Sequence, residues 1–161
     1  MTALLEVTGL SKTYLSSAGW FAPARAARVV HDVAFTLDRG QTFALVGESG
    51  SGKTTIGRLL LRLVEPDAGS VVFDGTDLVQ LAPAALRKMR RRIQIIFQDP
   101  VGSLDPRVRI GDAIAQPIRL HRLRRNDAVG ARVAELMALV GLDPAQANGY
   151  PHEFSGGQRQ R

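Results

Sequence analysis

Gly47-Glu48-Ser49-Gly50-Ser51-Gly52-Lys53-Thr54 is the stretch on which the reading of this chain turns. It satisfies G-x-x-x-x-G-K-[ST] at every fixed position, the pattern of a phosphate-cradling loop. Glycines admit backbone conformations closed to other residues and let main-chain N–H groups approach phosphate oxygens. Upstream, residues 42–46 (Thr-Phe-Ala-Leu-Val) are nearly continuous in apolar character, which predicts a strand of the buried, parallel type. Downstream, Ile56, Leu59, Leu60 and Leu63 recur at i, i+3, i+4, i+7 and predict one face of a helix. A strand, a glycine-rich turn and a helix in that order point the positive end of the helix at a bound anion. Lys53 is then placed to reach the β- and γ-phosphates of a nucleoside triphosphate, and Thr54 to offer its hydroxyl to Mg²⁺.

The rest of the composition narrows the class. The chain has 161 residues, with 45% hydrophobic and 22% charged content, ordinary for a domain with a core of its own. No apolar run approaches the ~18 residues that a membrane-spanning helix needs. The first residues carry Glu6 and no basic stretch, so they do not read as a signal peptide. With no cysteine, thiol chemistry and a disulfide scaffold are excluded. The net charge is +6, and since only Lys12, Lys53 and Lys88 are lysines, arginine supplies 18 of the 21 basic residues. They concentrate at residues 87–92 and 119–125. Such stretches can be a nucleic-acid footprint, a solvated helix face or a surface for an acidic partner. No recognition motif accompanies them, so nucleic acid is the less favoured reading.

Along the chain, residues 4–7 predict a short strand and residues 16–27 a loop between strands. Residues 28–37 alternate, with Val30, Val33, Phe35 and Leu37 as the inward set. Asp38-Arg39-Gly40 and Asp74-Gly75 predict turns, residues 70–73 and 93–97 strands, and Pro66-Asp67-Ala68-Gly69 the end of the first helix. Pro83 suits the first turn of a helix running to about residue 91. Residues 111–119 predict a helix that Pro117 ends or kinks. Asn126 predicts the cap of another, with Val129, Val133, Leu136, Met137 and Val140 on one side. His31, His121 and His152 show no metal-ligand spacing.

Two further segments narrow the family. Phe97-Gln98-Asp99-Pro100 follows Lys53 by 45 residues at Gln98, and Phe154-Ser155-Gly156-Gly157-Gln158 follows it by 102 at Ser155. With the phosphate loop, their order and spacing resemble the Q-loop and signature of ABC-transporter ATPases. The longer runs, residues 97–107 (FQDPVGSLDPR) and 150–161 (YPHEFSGGQRQR), resemble the dipeptide and oligopeptide importer ATPases and their nickel and glutathione relatives. The resemblance covers residues 4–161.

The resemblance implies an α/β fold: a P-loop core with N-terminal antiparallel strands and a helical subdomain. It implies a core with its β subdomain over residues 1–97, and the Q-loop and helical subdomain up to the signature over 98–161. It implies ATP and Mg²⁺ as ligands. It implies that Tyr14 stacks on adenine and that Gly47, Glu48, Ser49, Gly50, Ser51, Gly52, Lys53, Thr54 and Thr55 hold the phosphates. It implies that Gln98 and Thr54 face Mg²⁺, with Gln98 also near the attacking water. It implies that Ser155, Gly156, Gly157 and Gln158 close on the γ-phosphate from a second cassette in a head-to-tail dimer.

Permease subunits and, indirectly, a solute-binding protein are the implied partners, at the cytoplasmic face of the membrane. The family's apolar strand ending in Asp-Glu, which carries its catalytic base, has no counterpart in residues 1–161. The expectation is therefore of an incomplete cassette, with hydrolysis only in a longer chain. The alternative is a non-transport ABC ATPase of DNA repair or translation; a small-molecule kinase or a GTPase would need an acceptor or base-specificity motif that the sequence does not show.

Overall fold

The computed structural model describes residues 3–16, 25–97 and 102–161. The chain divides into two compact units, residues 1–95 and 96–161.

The first unit is built on a four-stranded antiparallel sheet in the order β2-β1-β3-β4. Its strands are β1 (Leu5–Ser16), β2 (Arg25–Leu37), β3 (Ala68–Phe73) and β4 (Thr76–Asp77). Of the inward set predicted in β2, Val30 is buried and Val33 and Phe35 pack on the core, but Val29 packs there too and Asp32, with φ of 48°, breaks the alternation between Val30 and Val33. β1 runs well past the predicted 4–7, and β2 begins earlier than the predicted loop allowed. Tyr14, Leu15 and Ser16 pair with Ala27, Ala26 and Arg25, so the ends of that expected loop are strand. Residues 17–24 of it lie outside the described residues. Asp74 and Gly75, with φ of 49° and 75°, form the tight turn between β3 and β4 that the Asp-Gly pair predicts.

Helix α1 (Lys53–Leu60) packs Ile56 and Leu59 against Val7, Leu10, Val30 and Val71 of the sheet. It ends before the predicted Pro66 turn, and Leu63 lies beyond it, half-exposed. The stop is local. Arg62 takes a left-handed φ of 49°, its N–H donates to the Leu59 carbonyl at 2.9 Å, and the Leu63 N–H donates to the Arg58 carbonyl at 2.8 Å. That closure usually uses glycine. Arg62 is held there by its side chain, which donates to the Leu78 carbonyl at 3.0 Å and the Leu81 carbonyl and pairs with Glu65. Helix α2 (Pro83–Met89) starts at its proline as predicted.

Residues 42–46 and 93–97 depart from expectation. Neither is in a strand, and Phe43, Val46, Ile96 and Phe97 are 50%, 89%, 97% and 50% exposed. A strand exists where a neighbour accepts its backbone hydrogen bonds, and among the described residues none pairs with these two segments. Apolar sequence alone made both look like strands, and residues 42–46 like a buried one.

The second unit is helical: α3 (Ile110–Leu120), α4 (Val129–Leu139) and the short α5 (Gly156–Gln160). Ile110, Ala115, Ile118, Val129, Val133, Met137, Leu142 and Phe154 form its core. Pro117 sits inside α3 without ending it. Asn126 does not cap α4: it opens a 3₁₀ turn (Asn126–Ala128) that leads into the helix, and the N-cap position of α4 falls on Ala128. Both longer helices end on a left-handed residue, Arg122 after α3 and Gly141 after α4, with φ of 51° and 71°.

Candidate phosphate-binding site

The loop predicted to hold phosphates sits between the unpaired segment 41–48 and α1. Gly50 and Gly52 have φ of 83° and 92°, a region costly for other residues. Gly52 is also pressed against β2: a Cβ there would lie 2.7 Å from the Val29 carbonyl oxygen. The loop is braced by the Ser51 N–H, which donates to the Glu48 carbonyl at 3.2 Å. Gly52 is the N-cap of α1 and offers no side chain, and the first turn holds no acidic residue. The N–H groups of that turn have no acceptor within their own helix. The helix thus turns its first N–H groups and the positive end of its dipole toward the loop.

Lys53 folds back over the same space. Its ammonium donates to the carbonyl oxygens of Gly47 at 2.7 Å and Glu48 at 2.5 Å, and lies 3.3 Å from Ser51 Oγ. Three oxygens of the loop itself therefore satisfy the cation. Glu48, Ser49 and Thr54 are exposed and Thr55 is half-buried. These residues fit a magnesium–triphosphate group: a glycine-lined cradle, oriented donors, one ammonium and a hydroxyl at the start of the helix.

Tyr14 belongs to the same unit and is 39% exposed, with the Lys12 ammonium 5.8 Å from its ring centroid. It pairs with Ala27, two residues from the Val29 that abuts Gly52, so the strand pairing brings the ring's strand alongside the loop's flank. Gln98 lies outside the described residues, as do Asp99, Pro100 and Val101.

Ser155, Gly156, Gly157 and Gln158 belong to the second unit. Ser155 caps α5 in a reciprocal box: its Oγ accepts from the Gln158 N–H at 3.3 Å, and Gln158 Oε1 accepts from the Ser155 N–H at 2.9 Å. Gly156 and Gly157 are exposed.

Sequence reasoning missed the charged groups that brace this scaffold. Asp67 was read only as part of a turn. Its carboxylate accepts from Lys12 at 2.7 Å and from the Thr13 N–H at 2.6 Å, and the Lys12 bond foremost holds it below the ordinary Asp value. Asp74 pairs with Arg92 and Arg39, and the Arg92 hydrogen bond foremost lowers it too. Arg92 also lies over Phe73 at 5.2 Å. Part of the 87–92 basic stretch is thus bound within its own unit. In the second unit Arg119 and Arg125 face Asp112 and Asp127 at 3.7 and 3.6 Å.

Among the described residues no group of three or more His, Cys, Asp or Glu could hold a metal, and no helix is long and apolar enough to cross a membrane.

Loop, helix and flanking sheet together define a P-loop fold. The chain belongs to the ABC transporter family, whose profile matches residues 30–161. It is similar to the glutathione import ATP-binding protein GsiA of Salmonella typhimurium (strain LT2), with 49% identity over 159 residues, 98% of this chain and 26% of that protein. The GsiA protein of Escherichia coli (strain K12) is 55% identical over 137 residues, 85% of this chain and 22% of its own length. The chain therefore spans about a quarter of the length of the curated relatives it matches. Among solved structures, it resembles the dimeric post-hydrolysis state of the ATP-binding cassette MJ0796 bound to ADP and Pi, with a TM-score of 0.79 and 24% identity. That likeness covers 96% of this chain and 65% of the other, and it shows the ABC ATPase fold.

Proposed function

We propose that this chain binds MgATP as part of the energy-coupling subunit of an ABC importer for peptides or related small solutes, glutathione-like molecules among them. The observation that carries the reading is the loop of residues 47–54, where left-handed glycines lead into the start of α1 and the Lys53 ammonium folds back onto the loop. The GsiA relatives, named as glutathione import ATP-binding proteins, support the substrate class.

In this reading residues 1–97 are the nucleotide-binding core and 98–161 the Q-loop and helical subdomain. Gly47, Glu48, Ser49, Gly50, Ser51 and Gly52 wrap the phosphates with main-chain donors. Lys53 exchanges its loop carbonyls for β- and γ-phosphate oxygens, so the cation is never left without acceptors. Thr54 and Gln98 would hold Mg²⁺, and Thr55 joins the residues around the phosphates. Bound Mg²⁺ supplies charge neutralisation between the phosphate oxygens. Tyr14 stacks on the adenine face. Ser155, Gly156, Gly157 and Gln158 serve the γ-phosphate of a second cassette in a head-to-tail dimer. No general base is assigned within residues 1–161, where the loop positions the triphosphate rather than activating water. Permease subunits at the cytoplasmic face of the membrane are the coupled partners, with a solute-binding protein indirectly.

The test is titration with MgATP of the chain and its Lys53→Ala variant. Loss of a charge-assisted contact of ~1.5–3 kcal/mol predicts at least roughly tenfold weaker binding. Equal affinities would sink the assignment.

A further inference from the structure

The place where β1 loses its third strand carries a clamp that the phosphate loop does not explain. β1 pairs with β3 as far as Ser11, which lies opposite Ala68. Beyond it, Tyr14 and its neighbours pair only with β2. The pairing of β1 with β2 is also irregular here, with register shifts between Leu10 and Lys12 and between Lys12 and Thr13. A two-stranded ribbon with broken register is poorly fixed on its own.

Asp67, the residue just before β3, takes over where the ladder stops. Its N–H donates to the Ser11 carbonyl at 3.0 Å. One carboxylate oxygen accepts the Thr13 N–H at 2.6 Å, supplying the acceptor that another residue of β3 would have provided. The other accepts the Lys12 ammonium at 2.7 Å, and that ammonium in turn lies 5.8 Å from the Tyr14 ring centroid. One residue thus holds three consecutive positions immediately before Tyr14.

We infer that Asp67 is a positioning residue for base recognition: by fixing Ser11, Lys12 and Thr13 it sets where the Tyr14 ring stands for a purine to stack on. The inference rests on the reading of Tyr14 as the base-stacking residue. Asp67 touches no part of the nucleotide. It acts on the base and leaves the phosphate grip of residues 47–54 alone. A loose Tyr14 spends binding energy on ordering the ring, and a fixed one does not.

The experiment measures affinities of the full chain for ADP and for inorganic triphosphate, the ligand without a base. The variants are Tyr14→Ala, Asp67→Ala, their double and Asp67→Asn. Asp67→Asn keeps the size and an acceptor for Thr13, and so guards against a misfolded Asp67→Ala. Removing the ring predicts a roughly tenfold or greater loss for ADP, and removing the clamp a loss of roughly threefold or more. Triphosphate affinity stays unchanged in both. The double variant binds ADP no worse than Tyr14→Ala, because the clamp works through the ring. Asp67→Asn falls between Asp67→Ala and the parent.

Three results would overturn the inference. Equal losses for both ligands in the Asp67 variants would make the clamp a matter of folding. Full ADP affinity in Asp67→Ala and Asp67→Asn, beside a loss in Tyr14→Ala, would leave base stacking standing and remove Asp67 from it. Full ADP affinity in Tyr14→Ala would remove the underlying reading of Tyr14 itself.

Discussion

Replacing Gly52 and Gly50 separately by alanine divides the cost of the phosphate loop into its two physical parts. Both residues have left-handed φ, 92° and 83°. A Cβ in that region costs ~1–2 kcal/mol, and the reduced freedom of the unfolded chain returns about 0.4–1 kcal/mol of it. Gly50→Ala carries only that net penalty, because nothing lies within 4 Å of its Cβ position. Gly52→Ala adds an overlap, since its Cβ would stand 2.7 Å from the Val29 carbonyl oxygen and 3.4 Å from Val29 Cγ1. That oxygen is backbone of β2 and cannot rotate away. Overpacking of this kind costs ~1–3 kcal/mol. Gly52→Ala is therefore expected to be the more destabilising by about 1–3 kcal/mol. At about 2–4 °C per kcal/mol for a chain of this length, its melting midpoint should fall below that of Gly50→Ala by several degrees. Thermal melts and urea titrations followed by circular dichroism read the difference. Equal midpoints, or a greater loss in Gly50→Ala, would refute the argument that the loop is seated against β2 at Gly52.

Other consequences follow from the same geometry. Arg122→Gly relieves a left-handed arginine and should raise stability by up to about 1 kcal/mol. Arg62→Gly relieves the same strain but strands the carbonyls of Leu78 and Leu81, and should lower stability by ~1–3 kcal/mol. Urea midpoints moving in the same direction would contradict the role given to the Arg62 guanidinium. The carboxyls of Asp67 and Asp74 are held below the usual 3.8 by their basic partners, so they stabilise the fold above that pH. Their contribution is lost as pH falls below about 4 through their lowered values, and the Asp67→Asn, Asp74→Asn double variant should flatten that acid limb of a stability–pH curve. An unchanged limb would place the acid sensitivity elsewhere.

The fold class and the loop's local geometry were more legible in the sequence than the individual strands and helix ends around them, for physical reasons. A phosphate loop is local: its glycines, lysine and threonine act within one turn, so spacing alone carries the chemistry from Gly47 to Thr54. The inward set of β2 was readable in part: one face of the sheet is buried, but the period of two that joins Val33 to Phe35 is broken at Asp32 before Val30. Residues 42–46 and 93–97 misled because an apolar run says only that a segment wants cover. Whether a strand forms depends on a partner that the run itself does not name. The end of α1 was missed for a related reason. Arg62 closes the helix because its side chain finds the carbonyls of Leu78 and Leu81, 16 and 19 residues further on. Asp67 looked like turn chemistry, and its grip on Lys12 and Thr13 spans more than 50 residues of chain. Asn126 had the right residue type for a cap, but the chain inserts a 3₁₀ turn before the helix begins.

The most direct test of the central claim is to follow the backbone amides by NMR while MgATP is added, in the parent and in Lys53→Ala. The account predicts saturable shifts centred on Gly50, Ser51, Gly52, Lys53 and Thr54, with far weaker binding in the variant. Saturable binding that leaves those amides unmoved, or that Lys53→Ala does not weaken, would contradict it.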